Sequence, residues 1–117
     1  MTAVLSATKA PIMTNPHHQG DALIQLSAHG STLTVAGEID ASNAAAFRQA
    51  IDELPDGDRT VDTEAVTFID CAGLSALVST AVASRRDGAR LVLRHPGRAV
   101  QRMIELTETT DLFTIAS

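Results

Sequence analysis

The chain has 117 residues, a formal charge of −5 and 44% apolar residues, enough for one domain with a continuous core and too little for two. The acidic balance argues against sequence-independent binding to nucleic acid or to an anionic membrane, because phosphate-rich partners favour a positive surface. With no Trp or Tyr, three Phe and one Cys, the core is expected to be aliphatic, and neither an intramolecular disulfide nor a multi-Cys metal site can form.

Residues 1–20 read as a flexible tail, broken by Pro11, Pro16 and Gly20. His17-His18 offers at most a loose metal contact there, with no further ligands near it in sequence. No basic segment followed by a long apolar run opens the chain, so no signal peptide is expected. No stretch approaches the ~18 apolar residues of a membrane span. A single cysteine fits a reducing, cytoplasmic setting.

A domain is expected over 21–117. Leu23-Ile24-Gln25-Leu26 and Leu33-Thr34-Val35-Ala36 read as two strands joined through the turn signal His29-Gly30 into a hairpin. Asp40 and Ser42 both offer N-cap chemistry to a first helix, in which Ala44, Phe47, Ile51 and Leu54 recur at helical spacing. Pro55-Asp56-Gly57-Asp58 ends it, and Thr60-Val61 reads as a short third strand. Val66-Thr67-Phe68-Ile69 leads into Asp70 and a second helix. Leu74, Leu77, Val78, Ala81 and Val82 form its apolar stripe, Arg85 and Arg86 its last turn and Gly88 its C′ residue. Leu91-Val92-Leu93 is a strand, Val100, Met103, Ile104 and Thr107 line a third helix, and Leu112–Ile115 is a last strand. The order β-β-α-β-α-β-α-β predicts a single α/β domain, with a mixed, mostly parallel sheet of about five strands and crossover helices. In such a sheet the loops leaving the carboxyl ends of the strands share one rim. That rim is expected to carry Asp40, the Asp70-Cys71 turn and His95-Pro96-Gly97.

The chemistry-bearing residues gather at this rim. Asp70 is placed to cap the second helix at its positive end. Gly73 lets the first turn come close either to its neighbours or to a partner. Cys71 begins the helix, where the dipole favours a thiolate and the adjacent Asp70 opposes it. A Cys71-His95-Asp40 set can be drawn, and so can a redox switch at Cys71. The default is a plain small residue at a tight turn. Helical spacing places Cys71, Ser75 and Ser79 in one row beside the buried stripe, which is either a flat surface for another helix or a solvated face. Glu38 and Asp40 fall on the same side of an extended segment, but paired-carboxylate hydrolysis would need a cleft, and a turn explains Asp40. Six of the nine basic residues lie between Arg85 and Arg102, a solvated face or a patch for an acidic partner. There is no P-loop. No cofactor or metal is expected, and a binding module fits better than an enzyme.

Gly37-Glu38-Ile39-Asp40, the helix with Phe47, Val61-Asp62, Phe68-Ile69-Asp70-Cys71-Ala72-Gly73-Leu74, Leu91-Val92-Leu93 and Leu112-Phe113 together resemble the STAS domain. More narrowly, they resemble the stand-alone bacterial anti-sigma factor antagonists. The resemblance runs from about Asp21 to Ser117. It implies docking to an anti-sigma factor of the serine-kinase type, which frees a sigma factor for transcription. It maps the family's Asp positions to Asp40 and Asp70, and with the row read from helical spacing the expected partner surface comprises Asp40, Asp70, Cys71, Ala72, Gly73, Ser75 and Ser79. Regulation in the family acts on a Ser or Thr between the motif Asp and Gly, where a phosphate would repel and desolvate at the docking surface. Here those positions hold Cys71 and Ala72, and neither has a hydroxyl. A STAS subunit of a membrane transport assembly and a Cys71-based redox switch are the alternatives.

Overall fold

Strand and helix alternate along the chain for a reason visible in each segment's apolar period. A computed structural model describes residues 23–116; the expected tail and His17-His18 lie outside them. Five strands form one sheet in sequential order: β1 (Ile24–His29), β2 (Thr32–Ile39), β3 (Arg59–Ile69), β4 (Leu91–Arg94) and β5 (Thr114–Ala116). β1 and β2 pair antiparallel, with His29 opposite Thr32 across a two-residue turn. The remaining pairs are parallel. Helices α1 (Ala44–Asp52), α2 (Cys71–Arg86) and α3 (Arg98–Leu106) connect the parallel strands, and a short 3-10 turn at Thr110–Leu112 precedes β5.

The largest departure from the sequence reading is β3. Thr60-Val61 and Val66–Ile69 belong to one strand of 11 residues. Its burial does not alternate: Val61 and Thr63 are buried, then Val66, then Ile69. The cause is in the strand itself, which carries an extra residue against β2 at two places. Register shifts fall between Thr34 and Ala36 and between Gly37 and Glu38, and each bulge turns the following side chains relative to the ladder. Gly37 sits at φ 102° with its Cα against the Leu23 carbonyl, a conformation and a closeness that a side chain would not tolerate. A period-2 search therefore reads one bent strand as two fragments.

The core is a single apolar cluster fed by β1 to β4 and the three helices, with Ile24, Leu33, Val35, Ile39, Val61, Leu91 and Leu93 from strands, and Phe47, Ile51, Leu77, Val100 and Ile104 from the helices. It is not wholly aliphatic. Phe47 and Phe113 are buried, while Phe68 remains 48% exposed.

On α2 the buried face is rotated from the expected stripe. Gly73, Leu74, Ala76, Leu77, Thr80, Ala81 and Ser84 are buried, whereas Val78 and Val82 are only half-buried. Thr80 enters the core because its hydroxyl donates to the Ala76 and Leu77 carbonyls, which removes the cost of burying it. The end of α2 follows expectation. Gly88 N–H donates to the Arg85 carbonyl and Ala89 N–H to that of Ser84, the paired bonds of a Schellman C-cap.

Candidate functional site

The site is built where β2 and β3 end together. Ile39 and Ile69 are register partners, and the Asp70 N–H donates to the Ile39 carbonyl at 3.1 Å. The next residue of each strand, Asp40 and Asp70, is thereby held at one edge of the sheet. Both are half-buried.

Asp70 is the N-cap of α2. Its Oδ1 accepts from the Gly73 N–H at 3.0 Å, and its carbonyl accepts from the Leu74 N–H at 2.9 Å. The carboxylate thus faces the positive end of the helix dipole and satisfies one of its orphan donors. Asp40 does not cap α1, and neither does Ser42: the N-cap is Asn43, with no side-chain cap bond. Instead, Asp40 Oδ1 accepts from the Ser42 N–H at 2.9 Å and from its hydroxyl at 2.6 Å. Asn43 closes the turn from within, accepting from the Asp40 N–H and donating to the Glu38 carbonyl. An extra turn between β2 and α1 displaces the helix start by about one residue beyond Ser42, which puts both side chains out of capping position.

The other expected contact residues separate by burial. Cys71 is a free, exposed thiol, Ser75 is exposed, and Ala72 and Ser79 are half-buried. The Cys71-Ser75-Ser79 row therefore runs along the open flank of α2. Gly73 is buried beneath it. A Cβ at Gly73 would lie 2.8 Å from both Ile39 Cγ2 and Ile69 Cγ1. Its smallness serves the docking of α2 on its own strands, so Gly73 shapes the surface and does not form part of it.

His95 leaves the expected rim. β4 ends at Arg94, which pairs with Asp62, seven residues before Ile69 along β3. Counted along β2, where Thr34 faces Asp62 and no extra residue intervenes before Asp40, the rise of about 3.3 Å per residue puts it roughly 20 Å from the Asp40-Asp70 edge. The Cys71-His95-Asp40 set is not assembled. His95 Nδ1 lies instead 3.5 Å from Asp62 Oδ2. The rim rule fails because β4 is four residues long and β3 eleven.

Phe68 was visible in the motif but had no role assigned from the residues alone. It is exposed beside Glu38, its register partner, two residues before Asp70. The signal for it is the break in alternation between Val66 and Ile69. The two carboxylates and the row of small side chains thus meet at one open ledge, while Phe68, next to the inward-facing Ile69, turns to the opposite face of the sheet. Among the described residues no helix is long and apolar enough to cross a membrane.

Comparison with known proteins agrees with this architecture. The family model described as "Mlab, STAS domain" matches residues 22–114, and the chain belongs to the STAS family. An anti-sigma factor antagonist from Mycobacterium paratuberculosis is similar in structure, with 27% identity, a TM-score of 0.64, and 82% of this chain and 86% of that one covered. The anti-sigma factor antagonist SpoIIAA, in its unphosphorylated form, shares the fold at 18% identity and a TM-score of 0.62, covering 80% of this chain and 88% of its own. A Thermotoga maritima protein described as an anti-sigma factor antagonist does so at 18% identity and 0.63, over 80% and 86%. No curated protein sequence matches the chain.

Proposed function

We propose that the chain is an anti-sigma factor antagonist, acting in the cytoplasm by stoichiometric docking and not by turnover. Its partner is an anti-sigma factor of the serine-kinase type, and docking frees a sigma factor. The observation that carries this reading is the ledge at the start of α2, where Cys71 and Ser75 are exposed between the Asp40 and Asp70 carboxylates and the Ser79 end of the row. The likeness to anti-sigma factor antagonists of known structure supports it. With Cys71 and Ala72 in place of a hydroxyl residue, a kinase has no acceptor between Asp70 and Gly73, so the docked state is not switched off by phosphorylation there. Affinity capture with the full chain from its native cell, followed by mass spectrometry, tests the proposal. Recovery of a kinase-fold anti-sigma factor is the expected result, and its absence from the captured set overturns it.

A STAS subunit of a membrane transport assembly is the second reading. It is favoured by the matching family model, whose description is Mlab and not an anti-sigma factor antagonist. Recovery of a transporter ATPase in the same capture selects it.

A further inference from the structure

We propose that Asp62, Glu64 and His95 form a binding site for one zinc ion. The sequence gives no hint of it, because the three residues come from two strands' worth of chain more than thirty positions apart, and no Cys or His pair marks them. The sheet brings them together. Asp62 is the last β3 residue paired to β4, at Arg94, and His95 follows directly. The His95 N–H donates to the Ala116 carbonyl at 2.8 Å, which fixes the end of β4 against β5. One oxygen of Asp62 is also fixed: Oδ1 accepts from the Glu64 N–H at 3.1 Å, leaving Oδ2 turned toward His95.

One ligand atom from each of the three residues lies within 4.8 Å of the other two. Zinc bonds of ~2.0–2.2 Å to imidazole nitrogen and carboxylate oxygen place neighbouring ligands of a tetrahedral site ~3.3 Å apart. The Asp62 Oδ2 to His95 Nδ1 separation of 3.5 Å already meets that spacing. Glu64 is exposed, so its flexible carboxylate closes the third edge by rotating about its own side chain. Asp62 and His95 are half-buried, with 21% and 37% of their side-chain surface exposed, so they enter binding with little ordering left to do. Glu64 and His95 also line a surface cavity of about 340 Å³, together with Pro96, Gly97, Gln101 and Ile115. The cavity leaves room for water at the fourth position.

One imidazole and two carboxylates suit a borderline cation. Magnesium prefers an all-oxygen octahedral shell and retains its waters. The ion would tie the last β3–β4 pair across the point where β3 runs on without β4. This site is roughly 20 Å from the ledge, counted along β2, and it stands whether or not the docking proposal does.

The test is titration of ZnCl2 into the ¹⁵N-labelled full chain, read by amide shifts and by calorimetry. It is run in parallel on His17→Ala/His18→Ala, Glu64→Gln and His95→Ala. The expected result is one zinc per chain, with shifts centred on Asp62, Glu64 and His95. Binding should be unchanged in His17→Ala/His18→Ala and about tenfold or more weaker in Glu64→Gln and His95→Ala. MgCl2 at equal concentration should produce no comparable shifts. Glu64 is exposed, so Glu64→Gln keeps the fold and carries the test should His95→Ala lose it. Absence of saturable binding overturns the site, as does equal affinity in Glu64→Gln. Shifts confined to the chain around His17-His18 or Cys71, or an equal response to magnesium, also overturn it.

Discussion

A methyl group at position 73 would press against Ile39 and Ile69 at 2.8 Å from each. Alanine is the better helix former by ~1 kcal/mol, yet here the clash outweighs it, because overpacking of this kind typically costs ~1–3 kcal/mol. Gly73→Ala is therefore expected to lower the melting temperature, by roughly 4–8 °C for each kcal/mol lost in a domain of this size. An unchanged melting temperature would mean that the strand ends yield. Asp70 separates cap from charge. Asp70→Asn preserves the N-cap, since Asn caps about as well as Asp, but removes a carboxylate from the ledge. The expected outcome is a retained melting temperature with weakened binding to the anti-sigma factor. Cys71→Asp adds a charge at the exposed first position of α2. A helix N-terminus tolerates or favours an anion by ~0.3–1 kcal/mol, so stability is kept or raised while the affinity for the same partner drops about tenfold or more, as the added carboxylate crowds Asp70 and must shed its water on docking. Calorimetric unfolding paired with a binding titration reads both. Native-level binding by Cys71→Asp would place the docking surface elsewhere.

At the scale of elements, α2 is fixed by its buried face more than by its apolar count. Leu77 is fully buried in the cluster shared with α1 and the sheet. Leu77→Ala is expected to cost ~2–5 kcal/mol of unfolding free energy by urea denaturation, and a loss below ~1 kcal/mol would show that the site collapses around the cavity. The Cys71-Ser75-Ser79 row was legible from spacing alone. The depth of Thr80 was not, because a polarity pattern does not register a hydroxyl that bonds back to its own helix. β3 was half legible for a similar reason: Val66–Ile69 reads as extended, but the bulges that join it to Thr60-Val61 break its own alternation and are defined only by its pairing with β2.

The molecule as a whole has a sheet of unequal depth. Residues Thr60–Asp62 are flanked by strands on both sides, while β3 beyond them keeps only β2 as a strand neighbour. Amide exchange is expected to reflect this, with Ala65–Phe68 protected about tenfold less than Thr60–Asp62, since local opening is easiest where backbone bonds are fewest. Uniform protection along β3 would indicate that the strand opens only with the whole domain. The net charge of −5 and the carboxylates of the ledge also predict that association with the partner slows as salt rises, because steering between opposite charges is screened.

By itself the sequence determined the order of elements, the mixed sheet, the capping Asp70 and the open row on α2, because these follow from local periodicity, turn chemistry and helical spacing within a few residues. Only the tertiary structure decided that Gly73 faces inward, that Asp40 orders a turn in place of capping α1, and that His95 belongs with Asp62 instead of Cys71. The place of His95 depends on how far β3 extends past β4, that of Gly73 on the strand ends that α2 meets, and that of Asp40 on the turn Asn43 closes; each rests on contacts that local periodicity does not encode.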